Sequence, residues 1–299
     1  MDSLDIGIIR EMITDPSNLT IQFDIRRPYQ EIARRLQTSE DTVRNRIKTL
    51  ESGLIRSWKV GINPTLFGYL STFIFFDVRP PNSKRRMFQE LRSFPGVMWL
   101  VDFLGDFLGC MLAYRDGGSL KSKIGYISEL ARSENIVPAD APFPKCSSRL
   151  TENDWRIVRT VQRKPRSSYS DIAKRIGLST RTVRRRLGTM ISENALFVFP
   201  ELDFDELEGG VLLSLAVFYD TNSKRTVDNE ILSRFQEWLI LAHLTDSKHG
   251  WYNFIIPNLS KFEAIRTAVE GMPGVTSVSA RPVIGLVNLV DKVFRRDSY

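Results

Sequence analysis

The sequence predicts an α+β chain made of one plan used twice, each copy a winged helix-turn-helix unit followed by a βαββαβ unit. Three observations carry the prediction: an internal repeat, a change of hydrophobic period after each copy of it, and a proline-rich break between the halves. Tyr169 to Ser192, YSDIAKRIGLSTRTVRRRLGTMIS, lies over Tyr29 to Ser52, YQEIARRLQTSEDTVRNRIKTLES, at an offset of 140 residues. Eleven of the twenty-four positions are identical, among them Ile32/Ile172, Ala33/Ala173, Ser39/Ser179, Val43/Val183, Arg44/Arg184 and Arg46/Arg186, which marks a duplication.

In the second copy Ile172, Ala173 and Ile176 recur at helical spacing, Gly177-Leu178-Ser179 interrupts it, and Val183, Leu187 and Met190 resume it. The order is helix, tight turn, helix, with Gly177 suited to a left-handed helix end and Ser179 to an N-cap. Once the apolar residues turn inward, Thr180, Arg181, Arg184, Arg185 and Gly188 face outward, as a recognition helix in a DNA groove requires. Arginine-rich helix faces also occur as plain solvated surface, and three-helix units also bind proteins. The repetition and a shared continuation favour nucleic acid. After Leu50 the chain reads as a helix end at Gly53 and an alternating strand through Ile55, Trp58 and Val60, the wing. The candidate DNA contacts are Ser39, Arg44, Asn45, Lys48, Arg56 and Lys59 in the first head and Ser179, Thr180, Arg181, Arg184 and Arg185 in the second.

In order along the chain, Leu4 to Ile13 is the first helix of the first head, which spans 1–63. Its counterpart starts at Thr151. Asp5 pairs with Asp154 at an offset of 149, so the first copy carries nine extra residues within 15–28, where Leu19 to Phe23 has the pattern of a short strand or an irregular loop. The second unit, 64–137, reads as a buried strand from Leu70 to Val78, a helix from Ser83 to Phe94 and strands Val97 to Phe103 and Phe107 to Tyr114. A helix from Leu120 to Ser133 follows, with Ile136-Val137 as candidate last strand. Residues 138–149, with Pro138, Pro142 and Pro144 among the first seven, read as a stiff linker. The second head spans 150–208. The second βαββαβ series, 209–284, is complete: strand Val211 to Tyr219, helix Val227 to Trp238, strands Leu239 to Leu244 and Trp251 to Ile256, helix Leu259 to Glu270 and strand Gly274 to Val283. Such a series is a ferredoxin-like unit. Residues 285–299 form a tail in which Leu286, Leu289 and Val293 have docking spacing.

Forty-two basic against thirty-five acidic residues leave a net charge of +7 and a pI near 9.5, which fits a polyanionic partner. Cys110 and Cys146 stand far apart without metal-ligand companions, so neither a disulfide framework, a metal site nor a cofactor is expected. No apolar run reaches membrane-span length and the acidic start lacks signal-peptide architecture, so no membrane partner and a cytoplasmic location are expected.

A helix-turn-helix head followed by a βαββαβ unit, with Leu4-Asp5, Ile8-Ile9, Ile32-Ala33, Ser39 to Leu50 and Gly53-Leu54-Ile55, resembles the Lrp/AsnC (feast/famine) family of transcription regulators. The second copy matches through Ile172-Ala173, Gly177-Leu178-Ser179, Val183, Arg186-Leu187 and Met190. The resemblance covers almost the whole chain, as though two members were fused. It implies double-stranded DNA as partner, pairing through the sheets and sensing of a small-molecule effector, often an amino acid. The effector site is implied near the turn of the second and third strands, where Gly105-Asp106-Phe107 is a partial match and Asp246 to Gly250 departs from the pattern.

The heads are unlike. Tyr169 to Ser192 carries six basic residues against one acid, whereas Tyr29 to Ser52 carries five against four. Thr180-Arg181 opens one recognition helix and Glu40-Asp41 the other, so the second head is expected to supply most salt-sensitive binding. Arg56 and Lys59 suit the first wing to phosphate, while apolar Phe197-Val198-Phe199-Pro200 suits the second to protein packing. One chain then forms a pseudo-dimer for unlike half-sites; a homodimer with four heads is the alternative. Two other functions are weighed. Siroheme decarboxylases resemble the same architecture, but His243 and His249 are the only histidines and no acid/base cluster accompanies them. A regulator acting through protein partners, its acidic first head off DNA, is the third.

Overall fold

The computed structural model describes residues 1–14, 22–207, 209–220, 222–243 and 249–290. The first half runs α1 (Ser3–Met12), α2 (Tyr29–Arg35), α3 (Glu40–Ser52), β1 (Ile55–Ile62), β2 (Leu70–Asp77), α4 (Lys84–Leu91), β3 (Val97–Phe103), β4 (Phe107–Tyr114), α5 (Gly117–Ala131) and β5 (Val137–Asp140). The second half repeats that order as α6 (Glu152–Arg163), α7 (Tyr169–Ile176), α8 (Thr180–Ser192), β6 (Leu196–Leu202), β7 (Val211–Tyr219), α9 (Lys224–Arg234), β8 (Leu239–His243), β9 (His249–Ile256), α10 (Leu259–Glu270) and β10 (Val275–Asn288).

Each head is held by the same carboxylate doing two jobs. The Asp5 carboxylate accepts from the Asp2 amide at 3.0 Å while the Asp2 carboxylate accepts from the Asp5 amide, a reciprocal cap on α1. The same carboxylate lies 3.3 Å from Arg46 of α3. In the second head Thr151 and Asp154 cap α6, and Asp154 reaches Arg186 of α8 at 3.0 Å. The identity of Arg46 and Arg186 in the repeat is therefore structural: it fixes the third helix on the first. Between the helices the copies differ. Gly177 ends α7 at φ 68°, and Gln37 takes the equivalent left-handed place at φ 52°, where a side chain crowds the backbone.

The strands after the heads do not form separate wings. β1 pairs antiparallel with β6, with Trp58 opposite Pro200, Val60 opposite Val198 and Ile62 opposite Leu196. Both strands carry apolar side chains and open edges, and pairing with each other satisfies both needs. Part of the first copy's extra segment clamps this ribbon. The Phe23 amide donates to Val198 at 2.8 Å, the Val198 amide donates to the Gln22 side chain at 3.0 Å, and Arg26 donates to the Ser167 carbonyl at 3.2 Å. Phe23 makes an isolated bridge with Ile13; the rest of the expected strand, 19–21, lies outside the described residues.

The remaining twelve elements, eight strands and four helices, build one sheet of eight strands in the order β5-β2-β4-β3-β10-β7-β9-β8. Two features depart from the sequence reading. The last strand of the first half is Val137–Asp140, inside the expected linker, because Ser71 and Thr72 of β2 donate to the Ala141 and Ala139 carbonyls at 2.6 and 3.0 Å. The segment beyond it is a docked strap: Phe143 is buried and Asn63 donates to the Pro144 carbonyl at 2.8 Å. β10 continues to Asn288 instead of ending at Val283, since its first part pairs with β7 and its last part with β3. That pairing joins the halves edge to edge. Leu289 is buried in the first half's core and its amide donates to Met98, so the start of the expected tail docks; Val293 lies outside the described residues.

The sheet also folds over on itself. Strand alternation sends Ile74, Phe76, Leu100 and Cys110 toward one helix-covered core, and Leu213, Leu215, Tyr252 and Phe254 toward another. The opposite faces meet, and Phe75 of β2 stacks on Trp251 of β9 at 4.2 Å and 7°. Apolar residues on both faces explain the near-continuous hydrophobic run of β2. Gly109 makes room there, because a Cβ at that position would lie 3.0 to 3.1 Å from the rings of Phe73, Phe103 and Phe75.

Two outcomes follow for stability. Gln37→Gly relieves the left-handed strain and raises stability by about 0.5–1 kcal/mol, read as a higher urea midpoint. Burial opposes ionisation of Asp154, but hydrogen bonds from Thr151 and the Arg186 guanidinium outweigh it and hold the carboxyl below its ordinary 3.8. Its contribution is complete above that pH and is lost as pH falls through the lowered folded value. Asp154→Asn is expected to cost about 1–3 kcal/mol at neutral pH and to flatten the acid limb of the stability profile.

Candidate nucleic-acid interface

The two recognition helices, α3 and α8, start alike. Ser39 accepts from the Thr42 amide at 3.0 Å and Ser179 from the Thr182 amide at 3.1 Å, so both serines, expected as DNA contacts, serve first as N-caps. Each cap lets a 13-residue helix begin immediately after a tight turn, with Val43, Ile47 and Leu50, or Val183, Leu187 and Met190, buried beneath it.

The exposed faces differ in what they leave unpaired. Arg44 of α3 is held by Glu40 at 2.5 Å and Asp41 at 2.7 Å, so the guanidinium lies back along its own helix. Asn45 and Lys48 stay exposed on that face. At the positions of Glu40 and Asp41, α8 has Thr180 and Arg181. Arg181, Arg184 and Arg185 are exposed, and among the described residues none of them makes an ion pair with a carboxylate. Arg184 lies over the Tyr169 ring at 5.2 Å, which orients it without neutralising it. With no acid in its first turn, the α8 N-terminus keeps its positive dipole end open to a phosphate, an opening that Glu40 and Asp41 close on α3.

Arg56 and Lys59 each meet a carboxylate. In the ribbon Arg56 pairs with Asp203, and Lys59 lies 3.4 Å from Glu201, which also accepts from Ser57 at 2.7 Å. The acids of β6 and the segment after it neutralise the basic edge of β1 because the strands lie side by side. Trp58 between them is buried, donates to Glu51 at 2.7 Å and is covered at 5.4 Å by Arg166 of the second head. The apolar residues Phe197, Val198 and Phe199 are buried against protein, as expected.

The turn expected near an effector is at the surface. Gly105 and Asp106 are exposed, the Gly105 carbonyl accepts from Lys84 at 2.7 Å, and the Asp106 carbonyl accepts from the Val78 amide. Neither residue is among the walls of the two spaces between the sheet's inner faces. Of the counterpart turn, Asp246 to Gly250, residues 246–248 lie outside the described residues, and His249 and Gly250 open β9. A cavity inside the fold was not legible from any motif. It occupies about 170 Å³ between the facing inner surfaces and the ribbon, with Phe73, Trp99, Val101, Trp251 and Ile255 among its walls. A neighbouring space of about 90 Å³ shares Phe75, Phe103, Ser214 and Trp251 and is bounded by Arg281. Among the described residues no helix is long and apolar enough to cross a membrane, and no cluster of metal-ligating side chains occurs.

Comparison with known proteins bears on these units directly. An AsnC-type helix-turn-helix domain matches residues 1–51, and a winged helix-turn-helix DNA-binding domain matches residues 150–195. The HTH-type transcriptional regulator LrpA of Pyrococcus horikoshii is 35% identical over 123 residues, which is 39% of this chain and 84% of the relative. Ptr1, an HTH-type transcriptional regulator of Methanocaldococcus jannaschii, is 28% identical over 122 residues, 40% of this chain and 76% of the relative. Among solved structures, the siroheme decarboxylase NirDL superposes with a TM-score of 0.53 over 94% of this chain and 91% of that one, at 16% identity, a likeness of fold. A relative matched over most of its length and helix-turn-helix matches in both halves lead to one conclusion: the chain belongs to the Lrp/AsnC family of helix-turn-helix transcriptional regulators.

Proposed function

We propose that this regulator binds duplex DNA sequence-specifically as a pseudo-dimer within one chain, with α8 supplying most of the affinity and α3 reading a different half-site. The observation that carries it is the contrast between the unpaired Arg181, Arg184 and Arg185 and the internally neutralised Arg44. Unpaired arginines release counterions from DNA, whereas Arg44 must first give up two carboxylates. Glu40 and Asp41 contribute selectivity instead, as acceptors for a cytosine amino group. Antiparallel pairing of β1 with β6 supports a fixed relation between the heads. The strand orders β5-β2-β4-β3 and β10-β7-β9-β8 support two ferredoxin-like units, reaching to Asp140 and Asn288, as the place where a small effector is sensed. The cytoplasm is the site of action in this reading.

A tetrapyrrole enzyme is less well supported by the same geometry. A siroheme-sized polycarboxylate needs several cations around a large void; the described walls offer Arg281 beside spaces of about 170 and 90 Å³. A first head that binds protein instead of DNA is the competing use of α3.

The test is retention of fragmented genomic DNA at two salt concentrations. Selective, salt-sensitive retention is expected. Replacing Arg181, Arg184 and Arg185 together by alanine should abolish it at the higher salt and, where binding persists at the lower, reduce the salt slope by about three units. Arg44→Ala should change affinity by less than about ten-fold, since that side chain begins neutralised. Glu40→Thr with Asp41→Arg should raise affinity and steepen the slope by about one unit. No retention by the wild type would overturn the proposal.

A further inference from the structure

We infer that the chamber between the facing halves of the sheet binds an apolar monocarboxylate, an aryl acid without an amino group, at a site distinct from the Gly105-Asp106 turn. The inference rests on the reading of these units as ligand-sensing and names the ligand's class and place. Three donors are left over on these walls. The indole nitrogens of Trp99 and Trp251 and the Nε of Arg281 are buried and, among the described residues, have no hydrogen-bond partner. Leaving such donors unmet costs stability, and three of them on one connected set of walls is the complement of an acceptor.

Strand alternation brings them together. Arg281 of β10 lies opposite Ser214 of β7, Trp251 lies on β9 and Trp99 on β3, all with side chains on the inner face. Arg281 sits with its guanidinium carbon 3.8 Å from the centre of the Phe107 ring and, among the described residues, has no carboxylate partner. A positive group held on an aromatic face and lacking an anion fits a carboxylate.

The remaining walls set the rest of the ligand. Phe73, Phe75, Trp99, Phe103 and Trp251 present rings, which suit an aromatic body. Apolar voids of about 150 Å³ accept benzene, so the larger space suits one ring and the smaller an acid arm reaching toward Arg281. An amino acid is disfavoured because its ammonium needs a negative acceptor. Glu201 is the acid on the walls, and it is already engaged by Ser57 and Lys59. The free energy of desolvating an ammonium beside an arginine selects against it.

The experiment is isothermal titration of the full chain, without DNA, with phenylacetate, its methyl ester and L-phenylalanine. Saturable one-to-one binding of phenylacetate is expected, with the ester and the amino acid each weaker by at least about ten-fold. Arg281→Gln should lose about ten-fold for the acid and leave the ester unchanged. No binding of phenylacetate, equal binding of the ester, or tighter binding of L-phenylalanine would overturn the inference. The acid and ester comparison uses the wild type, so it stands even where the variant fails to fold. Ligand binding by a chain that retains no DNA would sink the regulator proposal alone; DNA retention without ligand binding would sink only the chamber.

Discussion

The antiparallel pairing of β1 with β6 is the constraint on which the rest depends. It joins the end of one head to the end of the other, so each recognition helix is positioned through a strand belonging to both halves. The same logic recurs where β10 leaves β7 and joins β3, making one sheet of two four-strand series. Neither half is self-sufficient. The inner faces are apolar, and the Phe75 to Trp251 stack, a contact of about 0.5–1.5 kcal/mol beyond its burial, closes one half with the other.

Within this shared frame the duplication has been used to make the heads differ. Both keep the Asp to Arg tie between first and third helices, Asp5 with Arg46 and Asp154 with Arg186, because losing it would release the helix that carries the surface. Differences gather at the first turn of that helix, where side chains bear no packing load. Two carboxylates there neutralise Arg44, and without them Arg181, Arg184 and Arg185 have no carboxylate partner among the described residues. The capping serines and buried faces are unchanged, so electrostatic character varies at little cost to stability.

Local features were legible in the sequence because local rules produce them. The 3.6-residue period found α3 and α8 together with their buried and exposed faces, and the turn residues found the cap at Ser179. Non-local pairing was the blind spot. A strand with Arg56 and Lys59 reads as a phosphate-facing wing until its partner, more than 130 residues away, places Asp203 and Glu201 beside it. β5 was hidden for a related reason: prolines at 138 and 142 suggest a linker, yet the sheet's edge tolerates a strand containing proline. The chamber had no sequence signature, since its walls are alternate residues of several strands. One signal was present and unread, the matched caps at Asp5 and Asp154, which with the identical arginines mark a tie within each head.

The strap from Ala141 to Pro144 has a further consequence. It is buried at Ala141 and Phe143 and tied to Asn63, and it makes the two halves one covalent molecule. In a regulator assembled from separate subunits, dilution splits the pair, and site occupancy follows a higher power of protein concentration. Here the partner's effective concentration is set by the chain itself. Pairing of the halves is therefore insensitive to how many copies a cell contains, and such a protein can work at copy numbers where a dissociable dimer would fall apart.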